Sequence, residues 1–133
     1  MTRATQKRLR NQRGQSLLET AMMIVVIFTV VFWVFEVAWL MYTYTVMADA
    51  ANEGVRYAIV HSGDSAGTTA RVKSFAATSL HDTSAISVSV TFPTGSTPPN
   101  PVLVSVTYTY VPWLKGVIST PTMTTYAKGM MVR

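Results

Sequence analysis

The sequence predicts an α+β protein: a long N-terminal transmembrane helix that continues into the exported side, then a small domain with one short helix and an antiparallel sheet of about three strands. Three observations predict it. Residues 21–47 form an apolar run with a single ionisable group, Glu36. Arg3, Lys7, Arg8, Arg10 and Arg13 all lie in the first 14 residues, with no acid among them. Beyond the apolar run, two stretches alternate apolar and polar side chains with the period of two that a half-buried strand requires. The chain therefore divides into a basic leader (1–14), a transmembrane and extended helix (15–61) and a small exported domain (62–133).

Composition narrows the function classes. Apolar residues make up 49% of the chain and charged ones 13%, about half the share of roughly 25% usual in soluble domains. The net charge of +5 belongs to the leader, because from Gln15 onward basic and acidic residues balance. A basic stretch that short, with no groove, patch or interleaved aromatics after it, argues against nucleic-acid binding. There are no cysteines, which excludes a disulfide framework and thiolate metal sites.

The leader precedes the apolar run directly, as positive residues do when they hold the cytoplasmic end of a span. As a helix, residues 21–47 would be about 40 Å long, enough to cross a hydrocarbon core of roughly 30 Å with some tilt. Trp39, Tyr42 and Tyr44 stand toward its far end, where an interfacial aromatic belt belongs. Ala48-Asp49-Ala50 has the A-x-A form of a secretory cleavage site. The run before it is too long for a signal h-region of about 7–15 residues, and it contains a carboxylate.

Arg13-Gly14-Gln15-Ser16-Leu17-Leu18-Glu19 offers an earlier processing signal. Cleavage after Gly14 would make Gln15 the first residue and Glu19 the fifth. Here the sequence resembles the start of type IV-like prepilins: a basic leader, a glycine, and a glutamate at mature position five before an apolar helix. Glycine lets a backbone approach a peptidase closely. The Glu19 carboxylate can neutralise the new ammonium of a neighbouring subunit, and a buried pair is tolerated in hydrocarbon where either charge alone is costly.

Glu36 lies about 22 Å along the helix from Ala21, in the outer half of a bilayer. An intramembrane acid normally faces protein. The span holds no basic residue, which leaves a partner from another chain, a protonated carboxyl, or an acid reaching the wet outer interface.

Residues 49–58 read as a continuation of the helix. Glu53 and Arg56 are three apart and can meet on one face. Gly54 costs roughly 1 kcal/mol there relative to alanine, which points to close approach by another backbone or by the small domain. An acid in the outer part of the span followed by Ala50-Ala51-Asn52-Glu53-Gly54-Val55-Arg56-Tyr57-Ala58 resembles the TadE-like family of tight-adherence pilus proteins. The resemblance runs from Gly14 through Glu36 to Ala58. It departs at Val37-Ala38-Trp39, where relatives often carry a Gly-Arg pair, and at Thr20, where major pilins of that system tend to have tyrosine.

Thr20 and the extra C-terminal domain favour a minor, pseudopilin-like subunit over a major pilin. The resemblance implies a protein of the bacterial inner membrane, N-terminus cytoplasmic, that enters a surface pilus. Its implied partners are a prepilin peptidase, the pilin, a related pseudopilin, the inner-membrane assembly platform and membrane lipid. The alternative is an uncleaved, membrane-anchored binding module.

In the C-terminal part, residues 61–66 read as a turn. Thr68 to Leu80 fits a short amphipathic helix with Val72, Phe75, Ala76 and Leu80 inward. Ala85 to Phe92 is a strand with Ile86, Val88, Val90 and Phe92 on one side. Val102 to Val111 is a second, with Val102, Val104, Val106, Tyr108 and Tyr110 on one side, and Thr122 to Val132 a third. The loop between the first two contains Pro98, Pro99 and Pro101. A core this small seldom supplies more than about 3–5 kcal/mol, so the domain is expected to lean on the upper part of the long helix.

Catalytic material is thin. His61 and His81 lie near Asp64 and Asp82, yet turns collect such residues for ordinary reasons, and no nucleophile-elbow, zincin or phosphate-loop motif is present. No enzyme activity, cofactor or metal is expected. Tyr108, Tyr110 and Trp113 offer material for a ligand site, although aromatics on strands more often pack.

Overall fold

A computed structural model describes residues 3–80, 82–113 and 119–132, with side chains from Gly14 onward. The first helix, α1, runs unbroken over Arg3–Val60. No proline interrupts it, and in an apolar solvent a helix is the only single-segment structure that satisfies every backbone group. Its hydroxyls follow the same logic: Thr20, Thr29, Thr43 and Thr45 each donate to the carbonyl four residues back, at 2.8–3.0 Å, so none needs water.

The chain forms two compact units, 1–38 and 39–133. In the first, every side chain from Gly14 to Phe35 is exposed, and from Leu17 onward most are large and apolar. An all-round apolar helix with nothing packed on it is suited to lipid, and this one is long and apolar enough to cross a membrane.

The second unit contains the end of α1 (from Trp39), helix α2 (Ser65–Ala77), and strands β1 (Ile86–Thr91), β2 (Pro101–Thr109) and β3 (Thr122–Met130). The strands form one antiparallel sheet, as the sequence predicts, and their order is β1-β2-β3. Val104 pairs with Val90 on one side and Ala127 on the other. That register brings Ile86, Val102, Val104, Val106, Met123 and Ala127 to one buried face. Against it lies a stripe of α1 that reads Thr43, Val46, Met47, Ala50, Ala51, Val55 and Ala58, all buried, at the three-and-four spacing of one helix face.

Most of these residues are small, and the sheet and α2 approach closely. A Cβ on Gly54 would collide with Val72 Cγ2 and stand 3.3 Å from Val104 Cγ1. The expected packing reason for Gly54 is therefore the small domain itself.

Several boundaries move. The short helix expected over Thr68–Leu80 starts at Ser65 and ends at Ala77. Asp64 explains the start: its Oδ1 accepts the Gly67 N–H at 2.8 Å, an N-cap that converts the second half of the expected 61–66 turn into helix. Gly63, at φ 82°, makes the reversal before it. The inward stripe of α2 is Thr68, Val72 and Ala76. Phe75 lies off it and is exposed, whereas Leu80 is buried from the segment after the helix. The three strands are each trimmed at one or both ends, and β2 gains Pro101, a first-residue position where the missing N–H does no harm.

The apolar run also needs reinterpretation. Residues 21–47 are helical throughout, but Thr43, Val46 and Met47 are covered by the domain. The length left bare on all faces lies earlier, from Leu17 to Phe35.

Candidate functional site

The residues singled out for processing lie on the exposed part of α1. Gly14 and Gln15 are exposed, and a Cβ on Gly14 would meet nothing within 4 Å. Glycine weakens a helix interior by about 1 kcal/mol relative to alanine, so Gly14 is a weak point of α1. Glu19 is exposed as well. It stands four residues after Gln15, which places both on one face of the helix, with Leu18, Met22 and Met23 exposed around it.

Glu36 is 9% exposed, unlike its neighbours Phe35 and Val37, and it is engaged within the chain.

The motif at residues 50–58 is a docking seam. Ala50, Ala51 and Ala58 are fully buried and Gly54 is the point of closest approach. Glu53, at the edge of the seam, holds α2: Arg71 donates to its Oε1 through Nη2 at 2.7 Å and Nε at 3.1 Å. The expected partner Arg56 is farther, at 3.8 Å, with 80% of its side chain exposed. Tyr57 donates to Asp64 Oδ2 at 3.1 Å, so the residue that caps α2 is also tied to α1. The pairing of Glu53 with Arg71, eighteen residues on, had no local signal in the sequence.

Arg71 holds the Glu53 carboxyl below its ordinary value, chiefly through the hydrogen bond, with desolvation opposing and the Arg71 and Arg56 charges assisting. A carboxyl depressed in the folded state stabilises above its unfolded value, and that contribution disappears as pH falls through the folded one. Thermal unfolding of the full chain should thus lose a small increment as pH drops below the ordinary glutamate range. Glu53→Gln should lack that increment at neutral pH, and the two curves should converge in acid. Curves that stay parallel would remove the ion pair from the account of docking.

The remaining polar candidates are occupied with local structure. His61 stacks on Tyr57 at 4.1 Å between centroids, and its Nδ1 lies 3.2 Å from the Tyr57 carbonyl. Asp82 accepts from the Ser84 N–H at 2.8 Å, which shapes the turn before β1. His81 lies outside the described residues. Among the described residues no group of three His, Cys, Asp or Glu is placed to hold a metal. Tyr110 is a core residue, Tyr108 packs half-buried against the core, and Trp113 points outward at 90% exposure. The three do not line one cleft. Burial, and then the Asp82 charge, pushes the Tyr108 phenol up.

Neither the curated proteins nor the solved structures contain a match to this chain. Residues 14–56 do match a family model, beginning at Gly14 and ending within the seam: over this segment the chain is similar to TadE-like proteins.

Proposed function

We propose that the chain is a minor pilin or pseudopilin-like structural subunit, not an enzyme, used in assembly of a tight-adherence (Tad-type) pilus. The family match carries the coarse reading, a pilin-like protein associated with such a pilus. The observation that supports the finer one is the coincidence of three features on one helix. Gly14 follows a leader with five basic residues, Glu19 stands five residues later, and the helix beyond them is apolar on every face.

On this reading the protein sits in the bacterial inner membrane with its leader in the cytoplasm and its α+β domain exported. A prepilin peptidase cuts between Gly14 and Gln15. The bare helix then packs among pilin and pseudopilin helices at the assembly platform, with Glu19 as the contact that matches charge.

The test is the intact mass and N-terminal sequence of the protein recovered from its native membrane. A mature chain beginning at Gln15 is expected. A chain beginning near Ala51 would mean a secretory signal and would overturn the reading. A retained leader would favour an anchored binding module instead.

A further inference from the structure

Strand β3 is an edge of the sheet. It pairs with β2 in an unbroken register over Thr122–Met130, and no further strand among the described residues lies beyond it. The two ends of that pairing fix which backbone groups point outward. The Tyr110 N–H donates to the Pro121 carbonyl at 3.0 Å, and the Met131 N–H to the Asn100 carbonyl at 3.0 Å. Odd-numbered residues of β3 therefore exchange hydrogen bonds with β2, because bonded pairs alternate along an antiparallel ladder. The N–H and C=O groups of Thr122, Thr124, Tyr126, Lys128 and Met130 are turned to the free side.

Such a row is a template for another strand, and folds that avoid pairing blunt it with proline, a bulge, a short strand or charges. β3 has nine residues, no proline and a single charge, Lys128. β1, at the opposite edge, has six residues and α2 packed against it.

Two side chains define the strand that fits. Thr125 lies on the inner face, 5% exposed, and its hydroxyl is buried with no hydrogen-bond partner among the described residues. Buried hydroxyls are rarely left so. In an antiparallel pair formed at the free side, Thr125 stands in a close, non-hydrogen-bonded position, with facing Cα atoms about 4.5 Å apart. A serine or threonine there can bond it. Lys128 lies on the outer face with Leu103 across from it in β2, so the place for a matching carboxylate is on the incoming strand. Antiparallel direction puts that acid three residues before the hydroxyl. Neither β1 nor β3 contains an acid, so the edge strands of a second copy offer no such match.

We propose that the free side of β3 is a strand-addition site for an extended segment of a different protein. The segment runs antiparallel to β3, with an acid opposite Lys128, a hydroxyl opposite Thr125 and apolar residues facing inward on either side of that hydroxyl. Main-chain hydrogen bonds hold it, and the side chains select it. The site uses nothing from the span or its processing.

The probe is an acetylated and amidated peptide, Ser-Val-Glu-Val-Thr-Thr-Thr-Val-Ser, whose third residue faces Lys128 and whose sixth faces Thr125. It is added to the full chain in detergent, and amide exchange along β3 is read by NMR. In the free chain the even-numbered amides from Thr122 to Met130 should exchange quickly, and those of Met123, Thr125, Ala127 and Gly129 slowly. Peptide occupying about nine-tenths of the chains should slow the even-numbered set about tenfold. N-methylation of the fifth and seventh peptide residues, whose N–H groups face β3, should abolish binding. N-methylation of the fourth and sixth should leave it. Lys128→Glu should weaken binding about threefold, and lysine as the third peptide residue should restore it. Even-numbered amides that are slow in the free chain at every dilution mean an edge covered by the chain itself. Slow amides that quicken on dilution mean a second copy on the edge. Either result overturns the proposal, as does a peptide that fails to bind or binds regardless of where the methyl groups stand.

Discussion

Glu19→Ala is expected to leave the protein inserted and cut after Gly14, yet to remove it from the filament. Insertion depends on the apolar length of α1, to which Glu19 contributes nothing favourable. Cleavage depends on the backbone at Gly14, five residues away. Assembly is different on the proposed reading, because an ammonium created at Gln15 would have to enter a bundle of apolar helices. Removing one partner of a buried ion pair costs about 3–5 kcal/mol, which at its lower end corresponds to about a hundredfold in an equilibrium.

With Glu19 on an adjacent subunit, that charge is matched; with alanine it is not. The amount of variant in sheared filaments, relative to the amount in the membrane, should fall by roughly that factor. Glu19→Asp, which keeps the charge on a shorter stem, should recover part of it. Incorporation of Glu19→Ala at the wild-type level would sink the assigned role.

Much of this fold was legible because its signals are local. The span follows from an unbroken apolar run, and β1 and β2 from alternation that needs no knowledge of partners. Even the early start of α2 had a local signal in Asp64 followed by Ser65-Ala66-Gly67, a capping residue that the turn reading passed over. Other features were not local. Nothing in the spacing of α2 chooses between Phe75 and Thr68 for the interior. The choice is made by the close approach of α2 to Gly54, where the Thr68 methyl fits beside Val72 and a phenyl ring would not.

Likewise, Thr43, Val46 and Met47 look like membrane residues to any hydropathy reading, since the protein core and the lipid tails are alike in polarity. Only the tertiary fold shows which of the two covers them. In the candidate site, Gly14 and Glu19 are singled out by their spacing alone, whereas the engagement of Glu36 and the Glu53–Arg71 bond needed the three-dimensional arrangement.

Gly54 should be the most sensitive position of the exported domain. Its missing side chain is the space into which Val72 and Val104 project, both fully buried. Neither can swing aside, because a β-branched side chain is stiff at χ1. Gly54→Ala gains about 1 kcal/mol of helix propensity and loses about 1–3 kcal/mol to overpacking, so a modest net destabilisation is expected. Gly54→Leu adds a volume for which no rotamer has room. Its cost should reach the whole stability of about 3–5 kcal/mol that so small a core provides, and the domain should come off α1.

The readout is hydrogen exchange of the β2 amides in the full-length chain in detergent, with proteolysis at the exposed Lys73 as a second probe. Gly14→Leu, with open space around it, is the control that should leave both unchanged. Wild-type protection in Gly54→Leu would show that the seam is looser than its geometry. The variant should still insert and still be cut after Gly14, because those steps use only the bare part of α1. Glu19→Ala and Gly54→Leu therefore fail in opposite ways, one folded but unassembled and the other processed but without a docked domain. That separation distinguishes a helix that assembles from a seam that holds the domain.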